Sequence, residues 1–339
     1  MTTFKPVFEL KIGIVIQGPI LSVGVTGLQS NSVVVNFDSS SNTTNLYQTA
    51  HSLSCEAVIS TWIAENTSRL KSVRDGDILK IHDFKHSFAN SFKNPYFSGK
   101  NKFRQFYSTL KGVEELGKRG CNFVIKVRTD QFIDLNKLVT YIRSVPTIET
   151  ESRIFLPYLD SSAANYVADF YFCGSYQSML TFCSNFISSK ELYQNVHRDI
   201  FYKWVKLRNT DLRKLFSFFQ FYPRHSTATK KQASLVLRGW KNDFTILPFG
   251  VWQSLIWRGH KYEAAPDSYI FVDSPISNWE STLVNEMKIN ERVFQLNLPG
   301  MLTYVISSRG ENFVRRVVGK VKKQAYLFLD VFSREKDFE

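Results

Sequence analysis

No stretch of this sequence approaches the ~20 consecutive apolar residues that a membrane span needs. The opening Met1-Thr2-Thr3-Phe4-Lys5-Pro6 is followed only by the short apolar run Ile12–Ile16, with no small-residue cleavage site behind it. That is too short for a secretory-signal core, so a cytoplasmic protein is expected. Cysteine is scarce: Cys55, Cys121, Cys173 and Cys183 form no CxxC pair and sit among apolar or aromatic neighbours. Reduced core thiols are the expectation. The histidines (His51, His82, His86, His197, His225, His260) show no HExxH or short paired spacing, which argues against a structural zinc site. A GxSxG elbow, a phosphate loop ending in GK[ST] and a strand followed by GxGxxG are all missing. Hydrolase, ATPase and dinucleotide-dehydrogenase readings lose weight accordingly.

What is present is a basic, aromatic-rich chain. Its 339 residues are enough for a full core without staples, and 43% hydrophobic with 22% charged residues excludes a disordered or collagen-like chain. Net charge is +13, and it is unevenly spread. Between Leu212 and Asn242 stand Arg213, Lys214, Arg224, Lys230, Lys231, Arg238 and Lys241 with no acid, beside the aromatic run Phe216, Phe218, Phe219, Phe221 and Tyr222. A second basic stretch runs from Arg309 to Lys323. Such clusters attract an anionic bilayer surface and place rings at headgroup depth. A solvated basic face over a Phe-rich core accounts for them equally well, and contact with a nucleic-acid backbone ranks third. With 29 Phe, a Phe-rich core is itself the simplest account of the aromatic excess.

Along the chain, Ile12–Ile16 reads as a buried strand ending at Gln17-Gly18-Pro19. Residues 20–44 are polar and predict a loop with a small edge strand around Val33-Val34-Val35. Ala57–Trp62 and Ile78–Ile81 read as further strands, separated by the turn Asp75-Gly76-Asp77. Residues 101–119 form the clearest helix, with Phe103, Tyr107, Leu110 and Val113 on one face, Arg104, Ser108 and Lys111 on the other, and Gly120 as its stop. Then come a strand over Asn122–Val127, a helix over Leu135–Ser144 and a strand over Arg153–Leu156. Val167–Gly174 is a strand-like apolar run, and Met179–Phe186 a helix. A helical stretch is expected over 191–222, and mixed short elements from Trp240 to Trp257. This alternation argues for an α/β, mostly parallel sheet covered on both faces. The expected organisation is an α/β half over 10–175, a second half over 176–305 packed on the same core, and a basic C-terminal segment over 306–339.

In open α/β sheets ligands gather at the carboxyl ends of the strands. Here those ends are Gln17-Gly18-Pro19, Ser60-Thr61-Trp62 and Arg128-Thr129-Asp130, all polar or permissive of close backbone approach. A carboxylate just past a strand, with Lys126 and Arg128 on one strand face, suits a metal-bound diphosphate, Asp130 being the oxygen ligand for magnesium or manganese. The plainer alternative is an ion-pair ladder in which Asp130 caps the next helix. Asp169, an acid inside an apolar run, is a candidate general base, or a buried carboxylate with a structural partner. Trp240 and Trp252 have the ring surface to stack on a sugar, but core packing is the commoner fate of Trp. Asn42-Thr43-Thr44 and Asn66-Thr67-Ser68 match glycosylation sequons, which stay unmodified in a cytoplasmic chain.

An ordered set of segments carries a resemblance to a known family. These are Ile14-Val15-Ile16-Gln17-Gly18-Pro19-Ile20, Val58–Trp62 with Glu65 behind it, and Arg104-Gln105 with Ser108, Thr109 and Gly112. Val124–Asp130 follows, then Asp169-Phe170-Tyr171-Phe172 before Gly174. In order and spacing they resemble the WavE lipopolysaccharide-synthesis family of bacterial glycosyltransferases. The resemblance implies a GT-A-like (Rossmann-like) sheet flanked by helices, with a mainly helical C-terminal extension. It also implies transfer of a sugar from a nucleotide-sugar donor to a lipopolysaccharide core, O-antigen or capsule acceptor at the cytoplasmic face of the inner membrane. On that basis Asp169 is the base and Asp130 the diphosphate-side carboxylate, with Mn2+ or Mg2+ as the cofactor in question. Gln17, Gly18, Pro19, Thr61, Trp62, Arg104, Gln105, Lys126, Arg128 and Thr129 would line the donor site. Arg128 stands where the motif of such transferases has a first Asp, so Arg128 itself is a candidate to offset diphosphate charge. The acceptor is expected to be saccharide, lipid-linked if 212–242 contacts anionic membrane, and nucleic acid is not expected. A nucleotidyl or phosphosugar transferase of the same fold, and a non-catalytic basic membrane- or nucleic-acid-binding protein, are the alternatives.

Overall fold

A computed structural model describes residues 10–26, 33–82, 99–145, 152–157, 159–160, 167, 169–188, 204, 207–208, 239, 242–258, 260–261 and 269–270. Its centre is a seven-stranded sheet whose core strands are apolar on both faces, as strands covered by helices on both sides must be. β1 (Ile12–Gln17) lies between β4 (Glu56–Trp62) and β6 (Phe123–Arg128), parallel to both. β5 (Ile78–Ile81) extends the sheet in parallel beyond β4. On the other side β10 (Phe172–Ser175) runs antiparallel to β6 and to β8 (Ile154–Leu156), and β11 (Phe244–Ile246) closes the edge parallel to β8. The order is therefore β11-β8-β10-β6-β1-β4-β5. This is the mostly parallel α/β sheet that the alternation of elements predicts, Rossmann-like as the family resemblance implies.

Two layers of helix cover it. Val15, Val58 and Val124 face α2 (Gly99–Lys118) and α4 (Tyr176–Ser188), whereas Ile14, Ile16, Ile59 and Ile125 face α1 (Ser40–Ser52) and α3 (Leu135–Ser144). Fully burying a large apolar side chain stabilises by about 1.5–3 kcal/mol, and among the described residues phenylalanine is used this way. Phe103, Phe106, Phe172, Phe182 and Phe186 pack together under α2 and α4, with the Phe106 and Phe186 rings stacked 3.8 Å apart. Helix α2 lies close on β1 because Gly112 faces it: a Cβ there would stand 2.5 Å from Val15 Cγ1. All four cysteines are buried free thiols.

Several details differ from the sequence reading. Residues 20–44 are not a loop: β2 (Leu21–Thr26) and β3 (Val33–Asp38) form an antiparallel hairpin, and α1 begins at Ser40. In α2 the buried stripe is Phe103, Phe106, Leu110, Val113 and Leu116, and Ser108 is buried rather than solvent-facing. Its carbonyl accepts the Ser60 hydroxyl, which is only possible where helix and strand touch. The strand-like run 167–174 pairs as β10 only from Phe172, leaving Asp169 in irregular backbone just before it. Trp252 packs in the core on α5 (Phe249–Trp252), as the commoner fate of Trp predicts. Trp240, residues 212–238 and 241, most of 191–222 and the segment 306–339 lie outside the described residues. Among the described residues, no helix is long and apolar enough to cross a membrane.

Candidate functional site

The strand order reverses at β1: β4 and β5 lie to one side of it and β6 to the other. Such a switch point opens a crevice at the carboxyl ends of the strands. Register then brings polar side chains level, with Gln17 opposite Ser60 on one side and Arg128 on the other. Beyond Gln17 the chain turns through Gly18 at φ +139°, a backbone geometry that favours glycine, and the Gly18 N–H donates to the Ser60 carbonyl at 3.2 Å. The Thr129 N–H donates to the Gln17 carbonyl at 3.0 Å and the Thr129 hydroxyl to the Pro19 carbonyl at 2.8 Å. A Cβ on Gly18 would come within 2.5 Å of that hydroxyl. From α1, Asn42 Nδ2 donates to the carbonyls of Thr129 and Gln131 at 2.7 and 2.8 Å. Segments 17–19 and 128–131 are thus one hydrogen-bonded unit.

Asp130 is the centre of that unit and does not cap the following helix, whose cap is Asp134 accepting from the Lys137 N–H. The Asp130 side chain is 5% exposed, and it accepts from Arg128 through both oxygens at 2.9 Å. Its Oδ2 also accepts from Arg258 Nε at 3.1 Å and from the Trp257 indole N–H at 3.3 Å. Trp257 ends β12 (Ile256–Trp257), which pairs antiparallel with β7 (Gln131–Phe132), and Arg258 follows it, its N–H donating to the Asp130 carbonyl at 2.9 Å. Burial alone would raise the Asp130 pKa, but the two guanidinium groups outweigh it and hold the carboxyl below its ordinary value. A carboxylate saturated by four donors does not fit the part of a divalent-metal ligand, because a metal would have to displace those donors. Among the described residues, no group of three or more His, Cys, Asp or Glu side chains is placed to hold a metal ion by itself. Asp130, expected as a magnesium or manganese ligand, is engaged in this structure by two arginines.

Lys126 also differs from its expected part. Its side chain is wholly buried, and Nζ donates to the backbone carbonyls of Asp169 and Phe170 at 2.9 and 3.3 Å, 4.9 Å from the centre of the Phe172 ring. Burial, then the charge of Arg128, push its pKa down to about 7, against the opposing pull of Asp169 and Asp130. Lys126 therefore braces the 169–170 segment from inside instead of lying against a phosphate. Gln105 Nε2 reaches the same Asp169 carbonyl at 3.2 Å, so α2 and β6 hold this segment together. The Asp169 carboxylate lies within the field of both Arg128 and Lys126. At the end of β4, Arg104 stacks 4.8 Å over the Trp62 ring. Thr61 faces inward, with its buried hydroxyl unpaired among the described residues.

The match to known sequences is decisive for family. The model of a family described as WavE lipopolysaccharide synthesis matches residues 12–240, more than half of the chain. The chain belongs to the WavE lipopolysaccharide synthesis family. No curated protein matches it. Among solved structures, 4-diphosphocytidyl-2C-methyl-D-erythritol synthase from Anaerococcus prevotii aligns over 83% of this chain and 96% of its own, at 10% identity and a TM-score of 0.34. A likeness of that size carries no argument about chemistry.

Sequence reasoning missed three members of the site. Asn42 stood out only as a sequon residue, and its amide ties α1 to the Asp130 loop. Trp257 and Arg258 lie beyond the family match and carry no motif. Only the pairing of β12 with β7 brings them to Asp130.

Proposed function

We propose that this member of the WavE family transfers a sugar from a nucleotide-sugar donor to a saccharide acceptor of lipopolysaccharide core, O-antigen or capsule at the cytoplasmic face of the inner membrane. The observation that carries the reading is the hydrogen-bonded unit at the β1–β6 switch point. There a glycine turn permits close backbone approach, and guanidinium groups gather where a diphosphate would sit. In this reaction the acceptor hydroxyl gives its proton to the Asp169 carboxylate, and its oxygen bonds to the anomeric carbon of the donor sugar. The bond from that carbon to the diphosphate oxygen breaks, and the nucleoside diphosphate leaves with the electron pair. Charge developing on the leaving oxygen is met by Arg128, a fixed donor that needs no reorganisation as the bond breaks. Gln17, Gly18, Pro19 and Thr129 form the backbone-rich floor of the donor site, with Trp62, Arg104 and Gln105 along the α2 side. Membrane contact through 212–242 would bring a lipid-linked acceptor to this crevice.

Calorimetric titration with UDP, GDP, CMP and dTDP tests the reading. Micromolar binding of one nucleotide supports a donor site and names the donor class, whereas a folded protein that binds none of them refutes it. Release of pyrophosphate instead of a nucleoside diphosphate during turnover would favour nucleotidyl transfer on the same fold.

A further inference from the structure

Three side chains stand level at the carboxyl ends of the central strands: Ser60 on β4, Gln17 on β1 and Arg128 on β6. Neighbours in register point to the same face of a sheet. Ser60 shows which face this is, because its hydroxyl donates to the Ser108 carbonyl of α2 at 2.6 Å. Arg128 is engaged as well, by Asp130. Gln17 differs from both. It is only 6% exposed, yet its carboxamide makes no hydrogen bond among the described residues. The amide of Gln131 is likewise unpaired, but both of its polar atoms are sealed inside the fold, and those of Gln17 are not. A carboxamide carries donors and an acceptor, and leaving them unmet at so buried a position is costly. At the end of a strand beside a switch-point crevice, the missing partner is a ligand.

The part of the ligand that meets Gln17 follows from the reaction proposed above. Asp169, the base, precedes β10, and β10 lies on the far side of β6 from β1. The donor sugar, attacked at its anomeric carbon, therefore belongs on the β10 side, with the diphosphate at Arg128 on β6. The nucleoside must then extend the other way, over β1. Neighbouring strands are about 4.8 Å apart, roughly the reach from a phosphate to the ribose it carries. The ribose thus falls over β1 and the base beyond it, towards β4. Its 2′ and 3′ hydroxyls stand side by side and each both donates and accepts, which matches a carboxamide donating from Nε2 and accepting at Oε1. We infer that the Gln17 carboxamide reads the ribose hydroxyls of the nucleotide donor and makes the site select ribonucleotides over 2′-deoxynucleotides. This inference rests on the donor-site reading above and deepens it by naming the part of the donor that Gln17 recognises.

The experiment is calorimetric binding of UDP, GDP, CDP, their 2′-deoxy counterparts and dTDP to the full chain, with manganese present, for wild type, Gln17→Met and Gln17→Glu. Wild type is expected to bind one ribonucleotide about tenfold more tightly than its 2′-deoxy counterpart, the loss expected when a hydrogen-bonding site is left unmet. Gln17→Met keeps the length of the side chain and removes its polar atoms, so it should bind the two alike, within about threefold. Gln17→Glu should keep the preference, since a carboxylate accepts from both hydroxyls. A folded Gln17→Met that retains the tenfold gap would overturn the inference. So would a wild type that binds both forms equally or prefers dTDP, and either result leaves the donor site in place. Should Gln17→Met not fold, Gln17→Leu makes the same comparison. Absence of binding by every one of these nucleotides to folded wild type would instead remove the donor-site reading itself.

Discussion

Lys126→Met is the most informative single change in the body of the sheet. The substitution keeps the length of the side chain and removes its charge and its donors. Two hydrogen bonds to backbone carbonyls are lost, at 2.9 Å to Asp169 and 3.3 Å to Phe170, although Asp169 keeps its bond from Gln105. Against that loss stands relief of a buried cation whose pKa falls from 10.5 to about 7. The folded protein releases this proton near pH 7, while the unfolded chain holds it to about 10.5. Across that window the unfolded state binds more protons, so wild-type stability rises with pH. One pKa unit is worth about 1.4 kcal/mol, so from about pH 7.5 to about pH 9 wild type should gain about 2 kcal/mol relative to Lys126→Met. Below pH 7 both states carry the proton and the difference between the two proteins should be flat. Urea unfolding of both proteins across this range measures it. Stability curves that run parallel from pH 6 to pH 9, within roughly the error of linear extrapolation, would refute a buried, charge-frustrated lysine at this position.

Three further outcomes are expected. Asp169→Asn should leave nucleotide binding unchanged within about threefold and lower turnover by a hundredfold or more, on the order of losing a general base. Calorimetry beside a turnover assay separates the two effects, and loss of folding would assign Asp169 a structural part instead. Gly18→Ala places a Cβ 2.5 Å from the Thr129 hydroxyl at a backbone angle of φ +139°, and should cost about 2 kcal/mol by thermal unfolding while weakening nucleotide binding. Asp77 accepts from Tyr47, Arg74 and Arg119 well away from the crevice. Burial opposes its charge, but these donors hold its pKa below the ordinary 3.8, so its contribution is present above that value and lost as pH falls below it. Asp77→Asn should cost about 3 kcal/mol at neutral pH and leave nucleotide affinity unchanged.

The central sheet was legible because its strands are apolar on both faces and end at Gly, Pro or polar residues. The end of helix α3 could be read because Pro146 follows it, whereas its cap, Asp134, was overlooked in favour of Asp130. Helix α1 could not, since Ser40–Ser52 is polar throughout and buries only Thr43, Leu46, Tyr47 and Ala50. Those four positions do carry helical spacing, but a threonine and an alanine give it little hydrophobic signal. In α2 the same blindness hid Ser108, a hydroxyl side chain satisfied by the carbonyls of Arg104 and Gln105 within its own helix and therefore free to be buried. Periodicity reports apolar faces, so a polar residue that satisfies its own hydrogen bonds escapes it.

The Arg128-Thr129-Asp130 segment shows why site chemistry is harder to read than fold. The sequence left two accounts open, an ion pair or a ligand-binding strand end, as though they excluded each other. In the folded chain Arg128 and Asp130 are paired, and the pair stands at the switch-point crevice. A third group, Arg258, joins the pair from 128 residues beyond Asp130, brought in by a two-residue strand. One carboxylate thus accepts from two guanidinium groups and an indole drawn from separate parts of the chain, a convergence that no spacing of residues along the sequence announces.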